Sequence, residues 1–177
     1  MGKNALVLID VWIGMNPEWD IRAKKVIENG IKPLLEWARE KGFLIVHHYW
    51  NSELGYPNVL DVHPGELEKM PNPNWLRING YTTLFYAGFA TNECLLNKGK
   101  LVGTDRKGAN IYIQNGGIKH MAKEGFDIIV VREATLGVHE NLDRVGHVTK
   151  KALLKIERNY GKVVSFKELI KNEKDYI

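Results

Sequence analysis

Apolar residues fall into two rhythms along the chain. Short unbroken runs, "NALVLID" (4–10), "FLIVHHYW" (43–50), "TTLFYAG" (82–88), "DIIVVRE" (127–133) and "GKVVSF" (161–166), read as strands buried on both faces, the pattern of a parallel sheet. Between them the apolar positions recur at helical spacing. "IRAKKVIENGIKPLLEWAREKG" carries Val26, Ile27, Ile31, Leu34, Leu35 and Ala38 on one stripe, and Gly42 is placed to end it. Pro33 interrupts the stripe, which predicts either two pieces or one kinked helix. "GGIKHMAKEG" and "RVGHVTKKALLKIERNYG" read as helices ahead of the last two strands. Strands alternating with helices predict a three-layer α/β/α fold with a mostly parallel sheet of five to six strands. Such sheets carry their sites at the carboxyl ends of the strands.

Two segments resist the alternation. "NSELGYPNVLDVHPGELEKMPNPN" (51–74) holds four prolines and reads as a long loop. "NKGKLVGTDRKGANIYIQNGG" (97–117) reads as an insertion with a short hairpin around "ANIYI". Loops this long in a compact domain are usually functional or mobile. With no linker or internal repeat, the chain is expected to form one domain over 1–177, with variable segments at 51–76 and 97–117.

Composition narrows the function classes. The 25 basic and 21 acidic side chains are spread without a basic block, which argues against nucleic-acid binding. The five-residue apolar run before Asp10 is too short for a signal peptide core or a membrane span. One cysteine cannot form an internal disulfide, which fits a reducing cytoplasm. A single glutamine, Gln114, among many Lys, Glu and Ile leans toward a heat-adapted source.

The candidate chemistry sits at strand ends. Asp10 closes the first strand, where a parallel sheet delivers side chains to its active edge. It is either a cap of the next turn or a working carboxylate. No glycine-rich phosphate motif accompanies it, which demotes nucleotide binding. Cys94 lies in "YAGFATNECLL", just past the third strand. A lone cysteine is usually a small buried hydrophobe. A helix starting near Thr91 or Asn92, however, would put Cys94 in its first turn. There unsatisfied N–H groups favour a thiolate and can cradle an oxyanion.

"ALVLID", then "YAGFATNECL", then "GFDIIVVREAT", with "ALLKIERNYGKVVSFKELI" at the end, resembles the isochorismatase-like cysteine hydrolases, which include nicotinamidases and N-carbamoyl amidohydrolases. The resemblance spans most of the chain and fails at 51–76 and 97–117. It implies a six-stranded parallel sheet and a triad of Asp, Lys and Cys. Asp10 matches the aspartate and Cys94 the nucleophile. It further implies a cis peptide at Phe89–Ala90 and an oxyanion hole from the N–H groups of Ala90 and Cys94. The family lysine has no counterpart thirty-odd residues before Cys94. Lys69, about ten residues too close, is either its replacement or a solvated surface lysine. Arg77 is a poorer replacement, because arginine does not exchange protons.

Other residues carry weaker expectations. Glu133 stands where the family has Asp and is expected to support rather than react. Thr135, His139 and Glu140 follow the fourth strand and face either a pocket or solvent. Asp61 and His63, in "DVHP", with His47 or His48, resemble the nicotinamidase metal ligands in part. Satisfied polar side chains are the expected reading, so no metal and no cofactor is assigned. Trp12, Trp50 and Phe89 fall near the strand ends and are expected to line a substrate pocket, and Trp19 falls there too; lids and oligomer contacts are the equal alternative for the tryptophans. Two functional readings stand. One is a hydrolase of a small amide or carbamoyl C–N bond acting through a thioester on Cys94. The other is an impaired relative that binds a small molecule or a protein. The resemblance also implies a homodimer or higher homo-oligomer.

Overall fold

The computed structural model describes residues 2–49, 59–96, 101–104, 110–112, 116–137 and 146–176. Five parallel strands form the main sheet: β1 (Lys3–Ile9), β2 (Leu44–His48), β3 (Tyr81–Phe89), β6 (Asp127–Leu136) and β7 (Lys162–Val164), in the order β2-β1-β3-β6-β7. The five unbroken apolar runs therefore all become strands. β4 (Leu101–Thr104) and β5 (Asn110–Tyr112) pair antiparallel as a separate two-stranded sheet, matching the hairpin expected around "ANIYI".

Alternation along each strand splits the core into two layers. Leu6, Leu8, Phe85 and Ile129 face one side, where they meet α1 (Pro17–Val26), α2 (Lys32–Glu40) and α6 (Phe166–Lys171) through Trp19, Ala23, Leu34 and Leu169. Val7, Ile9, Tyr86 and Val130 face the other. There they meet α3 (Pro73–Ile78), α4 (Ile118–Lys123) and α5 (His147–Asn159) through Leu76, Met121, Leu153 and Ile156. The outcome is the expected three-layer α/β/α arrangement.

Pro33 does not break its helix into separate pieces. A π-helical turn, Ile27–Ile31, joins α1 to α2, and the proline sits in the first turn of α2. Widening the turn accommodates a residue that cannot donate a hydrogen bond and would crowd the carbonyl a turn earlier. The turn also faces an irregularity in β6. Tyr86 pairs with Val130 and Gly88 with Thr135, so Ala87 alone opposes residues 131–134. The backbone of this bulge approaches the π-helical turn so closely that a Cβ on Gly30 would lie 2.1 Å from the Glu133 carbonyl oxygen. The bulge carries β6 on to Leu136, three residues past the run read from the sequence.

Among the described residues, the sixth strand implied by the resemblance is represented by one bridge. Leu67 pairs with Val46 in parallel on the outer side of β2.

Candidate active site

β1 and β3 are neighbours at the centre of the sheet, and their register pairs Ile9 with Gly88. Asp10 therefore leaves β1 beside the point where Phe89 and Ala90 run out of β3. The Asp10 side chain is buried, and its N–H donates to the His48 carbonyl at 3.1 Å, which ties the end of β1 to the end of β2. Asp10 (φ 51°) and Ala90 (φ 55°) both adopt left-handed backbone, alone among the described non-glycine residues. Each such residue costs about 1–2 kcal/mol and persists only where its surroundings hold it. Gly88 (φ 123°) lies between the two strand ends, and a Cβ there would come within 2.0 Å of the Ile9 carbonyl oxygen. Only glycine lets the two chains approach this closely.

The expected cis peptide at Phe89–Ala90 is absent: no described peptide bond is cis. The chain reverses instead through the positive φ angles of Gly88 and Ala90. Past that reversal, Thr91–Leu95 forms a π-helical turn closed by the Leu95 N–H on the Ala90 carbonyl at 3.2 Å. Cys94 is the fourth residue of the turn, as the helical reading of "TNECL" anticipates. It is half-buried against the same apolar layer as Leu95, Leu96 and Tyr86. Thr91 is fully buried, and its hydroxyl has no hydrogen-bond partner among the described residues.

Lys69 lies two residues beyond the Leu67 bridge, on the carboxyl side of the sheet. Its side chain is exposed and makes no hydrogen bond or ion pair with a described residue. The backbone on either side of it is pinned to β2. The His47 N–H donates to the Leu67 carbonyl at 2.6 Å, and the Leu67 N–H donates to the Ile45 carbonyl at 2.9 Å. On the other side, the Met70 N–H donates to His48 Nδ1 at 3.4 Å.

Of the candidate pocket aromatics, Trp12 stacks on Trp19 with ring centres 4.7 Å apart, and Trp19 meets the Phe89 edge at 5.1 Å. Phe89 is fully buried and Trp12 half-buried. Trp50, His139 and Glu140 lie outside the described residues. Thr135 is buried and donates to the Arg132 carbonyl at 3.1 Å. Glu133 accepts the Phe166 N–H at 3.0 Å, at the first turn of α6. Arg77 is engaged elsewhere, in a salt bridge to Glu124 at 2.7 Å.

The sequence reading missed a cluster at the sheet edge. Glu66, from the proline-rich segment, accepts from Arg39 Nε at 2.7 Å and Arg39 Nη2 at 3.0 Å. It also pairs with His47 Nε2 at 2.7 Å and takes the His63 N–H at 3.0 Å. Burial pushes the Glu66 carboxyl up, but Arg39, the His63 amide and His47 outweigh it and bring it down to about 2. Burial also pulls the His47 pKa down, against the opposing pull of Glu66, so its ring is neutral near pH 7. No sequence signal announced the cluster, since Arg39 and Glu66 stand 27 positions apart.

This edge does not suit a metal ion. Among the described residues no group of three or more His, Cys, Asp or Glu is arranged to hold one. Asp61 and His63 are exposed, His47 is committed to Glu66, and the Arg39 guanidinium also binds the Asp61 carbonyl at 2.9 Å. A dication there would meet a fixed positive charge.

No protein-family model and no curated protein sequence matches the chain. Solved structures do. A pyrazinamidase of Pyrococcus horikoshii, crystallised in complex with zinc, is 20% identical with a TM-score of 0.59, and the match covers 93% of this chain and 99% of that one. An isochorismatase-like hydrolase from Alkaliphilus metalliredigens is 12% identical with a TM-score of 0.65, covering 96% of each chain. A cysteine hydrolase from Pseudomonas syringae is 13% identical with a TM-score of 0.64, covering 99% of this chain and 94% of that one. Identities this low speak for architecture alone, and the matches cover more than nine-tenths of this chain. The chain has the fold of the isochorismatase-like hydrolases.

Proposed function

We propose that the protein is a cysteine hydrolase of a small amide or carbamoyl C–N bond, with Cys94 as nucleophile and Asp10 as its base. The observation that carries this reading is the pairing of Ile9 with Gly88. It sets the exit of the buried Asp10 from β1 beside the end of β3 that leads into the Cys94 turn, with left-handed backbone on both sides. Asp10 takes the Sγ proton, and the thiolate attacks the substrate carbonyl carbon. The N–H groups of Ala90 and Cys94 stabilise the oxyanion. The C–N bond breaks as Asp10 returns the proton to the leaving nitrogen, which leaves a thioester on Cys94. Water then attacks the thioester, its proton passing to Asp10 and on to Sγ as the acid departs. Lys69 completes the triad, its cationic head favouring the thiolate. It follows the Leu67 bridge on the carboxyl side of the sheet, and it makes no ion pair with a described residue. Trp12, Trp50 and Phe89 form or back the pocket wall, and the substrate is a small molecule. The names of the pyrazinamidase and the cysteine hydrolase among the similar structures support the same reaction class.

The test is the pH dependence of Cys94 alkylation, followed by a screen of small amides and carbamoyl compounds. A thiol pKa well below the free value of about 8.5, with turnover lost in Cys94→Ser, is the expected result. A thiol that titrates normally, together with no turnover of any amide, would overturn the hydrolase and leave a binding protein on this fold.

A further inference from the structure

A lysine delivered by a full edge strand would be held by a ladder of backbone hydrogen bonds. Here the ladder is one bridge, Leu67 on Val46, in a segment with four prolines. Lys69 is two residues from that bridge. A single bridge holds the register of such a loop weakly, because ordering each further residue costs conformational entropy. Glu66 supplies the missing constraint. It immediately precedes the bridge residue, and its side chain is only 8% exposed. It binds α2 through Arg39, β2 through His47, and its own loop through the His63 amide. Both Arg39 bonds reach the same carboxylate, one to each oxygen. Such two-pronged contacts fix direction as well as distance. The Met70 bond to His48 closes the segment on the far side of Lys69.

We propose that Glu66, clamped by Arg39 and His47, is the positioning residue for Lys69, so that a partly buried side-chain cluster replaces the missing edge strand in presenting the lysine to Cys94. This rests on the assignment of Lys69 to the triad, and the experiment separates the two. The Cys94 thiol pKa is measured from alkylation-rate profiles in the parent, Lys69→Ala, Glu66→Gln and the double variant, with folding checked by thermal melts. The expected result is a rise of about one unit in Lys69→Ala, a similar rise in Glu66→Gln, and no further rise in the double variant. A rise in Lys69→Ala with none in Glu66→Gln would overturn the positioning role and leave the triad intact. So would a Glu66→Gln rise that persists in full on the Lys69→Ala background. No rise in Lys69→Ala would overturn the lysine assignment itself, and the positioning role with it. If Glu66→Gln fails to fold, Arg39→Lys carries the test, since it keeps the charge and loses one of the two prongs. A smaller rise, absent on the Lys69→Ala background, is expected there, and an unchanged thiol would overturn the proposal.

Discussion

Asp10 is asked to do two jobs that substitution can separate. Its backbone adopts φ 51°, a conformation that asparagine and aspartate accept more readily than other side chains. Its carboxylate is the proposed base. Asp10→Asn keeps the first property and removes the second, so it should melt within about 3 °C of the parent while turnover falls by about 100-fold or more. Asp10→Ala should lose the same turnover and in addition about 1–2 kcal/mol of stability to left-handed backbone. If Asn melts as low as Ala, the carboxylate is structural and not catalytic. Gly88 gives the complementary case. A Cβ there meets the Ile9 carbonyl at 2.0 Å with φ at 123°, so neither space nor conformation is available to alanine. Gly88→Ala should cost about 3 kcal/mol or more, a fall of about 6–12 °C in melting temperature. The strained residues thus cluster at the two strand ends that carry the proposed chemistry, where backbone strain is often maintained for function.

At the scale of elements, the strands were legible because each is an unbroken apolar run, and a buried parallel strand needs nothing else from the sequence. Boundaries were less legible. α1 begins at Pro17, capped by Asn16 with its side chain on the Trp19 N–H, four residues before the helical segment read from Ile21 onward. β6 outran its apolar stretch because a bulge carries its polar residues 132 and 133 outward and returns Ala134 to the core. Pro33 signalled an irregularity but not its form, since the π-helical turn answers to β6, about a hundred positions away. That fit gives a diagnostic prediction. Glycine to alanine in a helix interior ordinarily adds up to about 1 kcal/mol of stability. At Gly30 the new methyl would lie 2.1 Å from the Glu133 carbonyl, a backbone atom that cannot step aside alone. Gly30→Ala should therefore lower stability by about 2 kcal/mol, or about 4–8 °C. A melting temperature at or above that of the parent would show that the turn and the bulge are not in contact.

At the scale of the whole molecule, Asp10 and Cys94 could be nominated from the sequence because each follows a recognisable strand, whereas the edge cluster could not. Arg39, His47 and Glu66 come from a helix, a strand and a proline-rich loop, and only the fold brings them together. The cluster also ties global stability to pH, with a sign that follows from its two shifts. His47 has its pKa lowered from 6.5 in the folded chain, so below pH 6.5 the unfolded chain binds the extra proton. Stability from His47 is present above pH 6.5 and drains away as pH falls toward the folded value. Glu66 is lowered from 4.5 to about 2, so its contribution is complete above pH 4.5 and lost as pH falls from there to about 2. The full Glu66 shift corresponds to on the order of 3 kcal/mol, mostly retained because the carboxylate is shielded from solvent. Both groups therefore favour the folded state at neutral pH, and neither loss is offset by the other. Urea unfolding of the parent and Glu66→Gln at pH 7, 4.5 and 2.5 isolates the second step, because the shared titration of the remaining carboxylates largely cancels in the difference. The parent should be the more stable at pH 7 and 4.5, with the gap narrowing by about half or more at pH 2.5. A gap that stays constant across that interval would mean that Arg39 does not hold the Glu66 charge in the folded protein, and the edge segment would then need another anchor.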